Sequence, residues 1–315
     1  MKIGIDIMGG DFAPNAVIKG IALSLKELPN DTQLVLFGQK GIIVDMLNSN
    51  KINPELFEIE NCNQEIEMGE NPLKAFTSKK DSGIVKGFSF LAEKKIQAFA
   101  SAGNTGAMMV GVMSIIKTSK GIIRPCLAIQ IPRKNGNPGI ILDVGLNPDA
   151  KPEVLFQYGI MGSIYAKNVY NIENPKVALM NIGEESVKGN LASKAAYKLM
   201  TNNKIYNFVG NIEGTDIFNN EKYDVVVCDG FTGNIILKTA EAFYNAIIDR
   251  NINDEYFNKF NFENFGGTPI LGINSNVIIA HGHSTPEAIK NMIIKTREIV
   301  KAKLPEKIIE IFNHE

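Results

Sequence analysis

The chain has 315 residues, with 33 Lys+Arg against 34 Asp+Glu and a formal net charge of -1. Hydrophobic residues make up 44% and charged residues 21%, enough to bury a real core and too balanced for a disordered chain. The near-neutral charge argues against a protein that coats nucleic acid or rests electrostatically on an anionic membrane, and Cys62, Cys126 and Cys228, without a C-x-x-C, fit a reducing cytoplasm and no disulfide framework.

Asp6 and Asp11 interrupt any apolar run at the amino terminus, so no signal peptide is expected there. Val- and Ile-rich runs predict strands at 2–7, 33–37, 57–60, 98–101, 126–131, 139–143, 177–181, 207–209, 224–228 and 277–280. Between them, helical periodicity predicts helices at 14–28, 83–95, 106–117, 152–169, 190–201, 234–250 and 286–304. Pro14 and Pro286 sit where a first-turn proline is tolerated. The longest apolar stretch, 107–116, is far short of the roughly 18 to 20 residues that span a bilayer.

This alternation predicts an α/β protein of three α/β/α layers, doubly wound around a mostly parallel sheet. No linker, repeat or low-complexity tract divides the chain, so a single unit over 1–315 is expected. The stretch 251–265 reads as an excursion, polar and acidic, with Phe257, Phe260, Phe262 and Phe265 spread among asparagines.

Several kinds of chemistry are missing. No glycine is followed by another two positions later, so G-x-G-x-x-G is absent, as are the P-loop pattern G-x-x-x-x-G-K, the nucleophile elbow G-x-S-x-G and H-E-x-x-H. His281, His283 and His314 form no metal spacing with the cysteines. Neither a metal nor a tightly bound cofactor is expected. Cys228 closes a Val-Val-Val run and reads as a small buried hydrophobe rather than a nucleophile.

What is present is a set of four strand ends that run into Gly/Asn/Thr-rich turns before a helix. They are D-I-M-G-G-D at 6–11, S-A-G-N-T-G at 101–106, N-I-G-E-E-S-V-K-G-N at 181–190 and D-G-F-T-G-N at 229–234. In a parallel sheet such ends gather along one edge, where ligands bind. Backbone N–H groups and the positive end of the next helix suit an anion there. Lys188 and Lys238 stand beside two of the turns as mobile point charges suited to phosphate.

At these turns the chain resembles the PlsX family, the phosphate acyltransferases of bacterial phospholipid synthesis, nearly end to end. The match continues in K-K-D-S at 79–82, the alanine that extends 101–106, R-P at 124–125 and D-V-G-L-N at 143–147. K-P at 151–152, Y-G-I-M-G at 158–162 and A-H-G at 280–282 complete it. The resemblance implies an isopropylmalate dehydrogenase-like fold, a cytoplasmic homodimer and reversible conversion of acyl-acyl carrier protein and inorganic phosphate into acyl phosphate. It implies that the product passes to the membrane glycerol-phosphate acyltransferase PlsY, which would make the protein peripheral to the membrane through a partner.

With that reaction in view, Lys188 and Asn234 are expected to be catalytic. Phosphate is expected against the N–H groups of Gly103–Gly106 and near Lys188, with Asn234 and Thr232 orienting the thioester carbonyl or donating to its oxyanion. The wider phosphate- and substrate-binding set is Asp6, Gly9, Gly10, Gly103, Asn104, Thr105, Gly106, Glu185, Asp229, Thr232, Gly233, Lys238 and His281. Asp6 and Asp229 are expected to hold their turns rather than to move protons. Lys79, Lys80, Arg124 and Arg133 are the candidates for a carrier-protein surface.

Two departures stand out. Leu146 replaces the alanine usual in D-V-G-A-N. The segment between D-G-F-T-G-N and F-G-G at 265–267 is shorter than in the family, which carries a helical hairpin there for carrier-protein and membrane contact. Lys259 is outnumbered by Asp249, Asp254, Glu255 and Glu263, so weak direct membrane binding is expected. The rival readings are a phosphate acetyl- or butyryltransferase acting on acyl-coenzyme A, a dehydrogenase of the same fold group, and a non-catalytic phosphate-binding scaffold.

Overall fold

The computed structural model describes residues 1–134, 137–218 and 222–313. His314 and the side chain of Phe262 lie outside the described residues. In chain order the strands are β1 (Lys2–Asp6), β2 (Gln33–Gly38), β3 (Glu58–Asn61), β4 (Ala98–Ser101), β5 (Cys126–Pro132) and β6 (Pro138–Leu142). They continue as β7 (Lys176–Met180), β8 (Asn207–Ile212), β9 (Val225–Val227), β10 (Thr268–Leu271) and β11 (Asn276–Ile279). The helices are α1 (Asn15–Ser24), α2 (Lys40–Ser49), α3 (Pro72–Ser78), α4 (Gly83–Ala92), α5 (Thr105–Gly111), α6 (Pro152–Tyr170), α7 (Leu191–Thr201), α8 (Gly230–Ile248), α9 (Pro286–Ala302) and α10 (Leu304–Asn313).

The chain divides into two compact units, the first made of 1–118 and 262–303, the second of 119–261 and 304–315. In the first unit the strand order is β3-β2-β1-β4-β11-β10, parallel except for β10, which runs against β11. β1 and β4 are flanked on both sides and read as apolar runs because both of their faces are covered. Ile3, Ile5, Ala98, Phe99 and Ala100 are accordingly fully buried. On α4 the side chains of Ile84, Phe88 and Leu91 recur at helical spacing and are buried. Phe88 meets Phe99 edge-on at 5.4 Å, a geometry favoured by the ring quadrupoles. Ser82 caps that helix by accepting the N–H of Val85.

In the second unit the order is β5-β6-β9-β7-β8, with β5 and β6 antiparallel and the other pairs parallel. Val225, Val226 and Val227 of β9 lie between β6 and β7 and are wholly buried. α6 presents the fully buried rings of Tyr158 and Tyr165 and ends on Asn171 in the left-handed conformation.

The expected α/β class with a mostly parallel sheet is what the structure has. Four elements were not anticipated: α2, α3, α10 and β10. β10 contains Pro269, which breaks the sequence signal for a strand. The displacement that bears on the site falls on α8, which begins at Gly230 and not at 234, so Phe231, Thr232 and Gly233 belong to the helix and not to a loop before it. Among the described residues no helix is long and apolar enough to cross a membrane.

Candidate active site

In the first unit β1, β4 and β11 are parallel neighbours, so the segments after Asp6, Ser101 and Ile279 leave along one edge. Asp6 is buried, and its carboxylate accepts the Ser101 hydroxyl at 2.7 Å and the Met8 N–H at 3.3 Å. Burial pushes its pKa from 3.8 up to about 6, against the pull of those two donors. Ser101 in turn accepts the Gly103 N–H at 2.9 Å. A methyl group on Gly9 would collide with the Asp6 carboxylate, so the turn closes over Asp6 only with glycine there. Asp11 donates its N–H to the Gly282 carbonyl, which draws Gly10 and the 280–284 segment into the same rim.

Asn104 has its whole amide committed. Its oxygen caps α5 by accepting the Ala107 N–H at 3.0 Å, and its nitrogen donates to the carbonyls of Glu67, Met68 and Glu70, each at 3.1 Å. The side chain expected to bind phosphate is thus part of the frame, and so is the Gly103 N–H. The backbone N–H groups of Asn104, Thr105 and Gly106 remain without an acceptor among the described residues, at the positive end of α5. His281 lies exposed, its Nδ1 accepting the His283 N–H at 3.2 Å, while His283 pairs with Asp11 at 2.7 Å.

In the second unit β6, β9 and β7 are adjacent and parallel, which brings Asp143, Asp229 and Asn181 to one rim. The organising residue is Asp143, which sequence reasoning passed over although D-V-G-L-N was in view. It is fully buried and accepts the N–H groups of Leu127 at 2.9 Å, Leu146 at 3.3 Å and Asn147 at 2.6 Å, and the Asn147 amide at 3.0 Å. Burial raises its pKa against this donor set. Asn147 accepts the Gly230 N–H at 2.7 Å through its carbonyl and so fixes the start of α8. Leu146 contributes its N–H to this frame.

Asp229 caps α8, accepting the Thr232 N–H at 2.7 Å, and the Asp229 carbonyl takes the Gly233 N–H at 3.0 Å. A methyl group on Gly233 would collide with the Asp143 carbonyl, so α8 approaches the β6 end only because residue 233 has no side chain. These contacts spend the N–H groups of Gly230, Thr232 and Gly233 on the frame. Asn234 differs. Its half-buried side chain faces the same turn, with its Oδ1 3.5 Å from where a Gly145 methyl would be, and its amide has no partner among the described residues. At 100° per residue Thr232 and Asn234 lie about 160° apart around α8, so their side chains leave the helix on different faces.

The 181–190 loop is pinned at Asn181, whose amide donates to the Lys188 carbonyl at 3.2 Å, and at Glu185, whose carbonyl accepts the Asn211 amide at 3.0 Å. Both Lys188 and Glu185 are exposed, and the Lys188 ammonium pairs with no carboxylate among the described residues. Lys238 is otherwise: its ammonium is held by Glu241 at 2.7 Å on the exposed surface of α8. Cys126 and Cys228 are buried, and desolvation holds both thiols well above their ordinary pKa.

The carrier-protein candidates separate as well. Arg133 is buried, bonded to the Tyr223 carbonyl and paired with Asp224 at 3.2 Å, so it presents no docking surface. Lys79 is tied to Glu70 at 2.7 Å, while Lys80 and Arg124 are exposed. Among the described residues no group of three or more His, Cys, Asp or Glu side chains is placed to hold a metal ion.

Comparison with solved structures supports the architecture. A phosphotransacetylase from Streptococcus pyogenes superposes with a TM-score of 0.67 at 17% identity, over 97% of this chain and 94% of that one. A branched-chain phosphotransacylase from Enterococcus faecalis gives 0.64 at 14%, over 95% and 99%. A 4-hydroxythreonine-4-phosphate dehydrogenase from Klebsiella pneumoniae gives 0.59 at 14%, also over 95% and 99%. At such identities the likeness is one of fold. Sequence carries further. A phosphate acyltransferase from Dictyoglomus turgidum is 39% identical over 99% of this chain and 98% of its own length. Another from Halothermothrix orenii is 42% identical over 95% of each. Residues 1–307 match the fatty acid synthesis protein family, and the chain belongs to that family of phosphate acyltransferases.

Proposed function

We propose that this phosphate acyltransferase moves a fatty acyl group from acyl-acyl carrier protein to inorganic phosphate using Asn234 and Lys188 of the second unit. The observation that carries the assignment is the Asn234 amide, half-buried and without a partner among the described residues, beside a turn where the N–H groups of Leu146, Asn147, Gly230, Thr232 and Gly233 are spent on the frame. An amide that gives its N–H groups to no protein acceptor is open to an oxygen of a ligand. Asn234 donates to the oxygen of the thioester carbonyl as it gains charge, the electrostatic assistance such a transfer needs. Lys188 supplies the unpaired positive charge that holds the phosphate dianion.

A phosphate oxygen attacks the carbonyl carbon and forms the new C–O bond, and the carbonyl π pair moves onto its oxygen beside Asn234. When that pair returns, the C–S bond breaks and the carrier protein leaves as thiolate, to be protonated by solvent. The products are acyl phosphate and free carrier protein. Phosphate is nucleophilic enough near neutral pH that no side chain need take a proton, in keeping with Asp229 serving as a cap. In the first unit the free N–H groups of Asn104, Thr105 and Gly106 form an anion-receptive turn of their own.

Acyl phosphate is a reactive mixed anhydride and is consumed by an acyltransferase. We assign that role to the membrane enzyme PlsY, with this protein working as a cytoplasmic homodimer peripheral to the membrane. The test is to incubate the protein with palmitoyl-acyl carrier protein and phosphate and trap acyl phosphate with hydroxylamine. Asn234→Ala lowers kcat about 100-fold. Lys188→Ala raises the KM for phosphate at least about tenfold. Near-normal kinetics in both variants would remove the assignment, and palmitoyl-coenzyme A run in parallel identifies the preferred donor.

A further inference from the structure

One face of α8 is used neither by the catalytic assignment nor by the packing of its first turn. Along it lies a cavity of about 510 Å³ in the second unit, lined by Ile235, Ile236, Thr239, Ala240, Phe243 and Ile247 from the helix. The opposite wall is the segment that the sequence marks as an excursion, contributing Tyr256, Phe257 and Phe260, together with Phe218. No charged side chain lines it among the described residues. The aromatic wall is fixed in place. Tyr256 donates its hydroxyl to the Phe218 carbonyl at 3.2 Å, and Phe260 meets Phe218 at 5.0 Å and Tyr256 at 5.5 Å between ring centres.

The direction of the groove follows from helical geometry. Ile236, Ala240, Phe243 and Ile247 recur at intervals of three and four residues, and continuing that row backward by four reaches Thr232 in the first turn. The groove therefore reaches the first turn of α8 on the side of Thr232, about 160° around the helix from Asn234, so a chain lying in it must cross the amino-terminal end of α8 to bring its carbonyl to Asn234. From Ile235 to Ile247 the helix rises about 18 Å. An extended hydrocarbon with C–C bonds near 1.5 Å advances about 1.25 Å per carbon, so about fourteen carbons fit that length.

We infer that this groove is the acyl-chain site, that it holds the hydrocarbon of a long-chain substrate along α8, and that the 251–261 segment is its wall. The inference rests on the phosphate acyltransferase reading for the identity of the substrate. It adds where the chain lies and what measures its length. An apolar, uncharged trough suits a hydrocarbon and offers nothing to the phosphopantetheine or the phosphate.

The test compares palmitoyl and butyryl thioester donors on the full-length protein, reading the ratio of their kcat/KM values. Ala240→Phe fills the groove two turns below Thr232, and Phe243→Ala removes part of its wall at a position 70% exposed, where truncation spares the fold. Each buried methylene is worth about fourfold in binding. Ala240→Phe is therefore expected to lower the palmitoyl-to-butyryl ratio at least about tenfold, and Phe243→Ala about fivefold. A ratio unchanged in both overturns the inference. So does an equal fall for both donors accompanied by a smaller sedimentation coefficient, which would give the groove to a second copy of the chain. If the wild type turns over neither donor, the activity reading fails, and the groove is judged by fluorescence of cis-parinaric acid displaced by palmitate. Saturable binding weakened about tenfold by Ala240→Phe upholds it, and no saturable binding to the wild type overturns it.

Discussion

At the residue scale, what separates Asn234 from Asn104 is the fate of one amide. Both follow glycine-rich strand ends, and by sequence they were equally good donors. Three carbonyls take the Asn104 amide, while Asn234 keeps its own. Such bookkeeping depends on residues 67–70, far away in the chain, and no local pattern reports it. Asp6 makes the same point with charge. Its folded pKa of about 6 stands above its ordinary 3.8. Between those values the folded state holds a proton that the unfolded state has lost, so stability falls as pH rises through this window and is level above it. Asp6→Asn removes the titration. Denaturant melts at pH 4 and pH 7 should show the wild type losing about 2 kcal/mol more than the variant over that interval. Equal losses would show that the carboxyl titrates at its ordinary value.

At the element scale, the start of α8 is fixed by contacts from three directions. Its first turn is built from the Asp229 cap, the Asn147 carbonyl and the bare α-carbon of Gly233 against Asp143. Gly233→Ala forces the helix off the β6 end, and the expected cost is about 3 kcal/mol in chemical denaturation, above the roughly 1 kcal/mol of Asp229→Ala, which loses only a cap. A smaller penalty for Gly233→Ala than for Asp229→Ala would mean that the helix slides without strain. Alternating strands and helices were legible in the chain because period and turn chemistry are local. The start of α8 was not, since Gly-Phe-Thr-Gly reads as loop by propensity and becomes helix only through the frame around Asp143. Lys238 likewise reads as a phosphate ligand until Glu241, three residues on, is seen to hold it.

At the scale of the whole molecule, the segment after α8 stands out by its charge. Asp249, Asp254, Glu255 and Glu263 face only Arg250 and Lys259 there, a balance that opposes an anionic bilayer. Purified protein is expected to stay with the soluble fraction when floated with phosphatidylglycerol liposomes at 0.15 M salt, about the physiological ionic strength. Robust flotation would show that exposed apolar side chains such as Phe243 and Ile252 outweigh charge. The path of the chain has a consequence of another kind. β4 takes β11 as its neighbour in register, Ala98 beside Asn276, although residues 119–261 of the second unit lie between them in the chain. On the ribosome, at about 5 to 20 residues per second, one edge of β4 therefore waits roughly 10 to 40 seconds for its mate. An open edge of that kind is a template for intermolecular pairing, so the nascent polypeptide is most exposed to aggregation in the interval between synthesis of its fourth and its last strand.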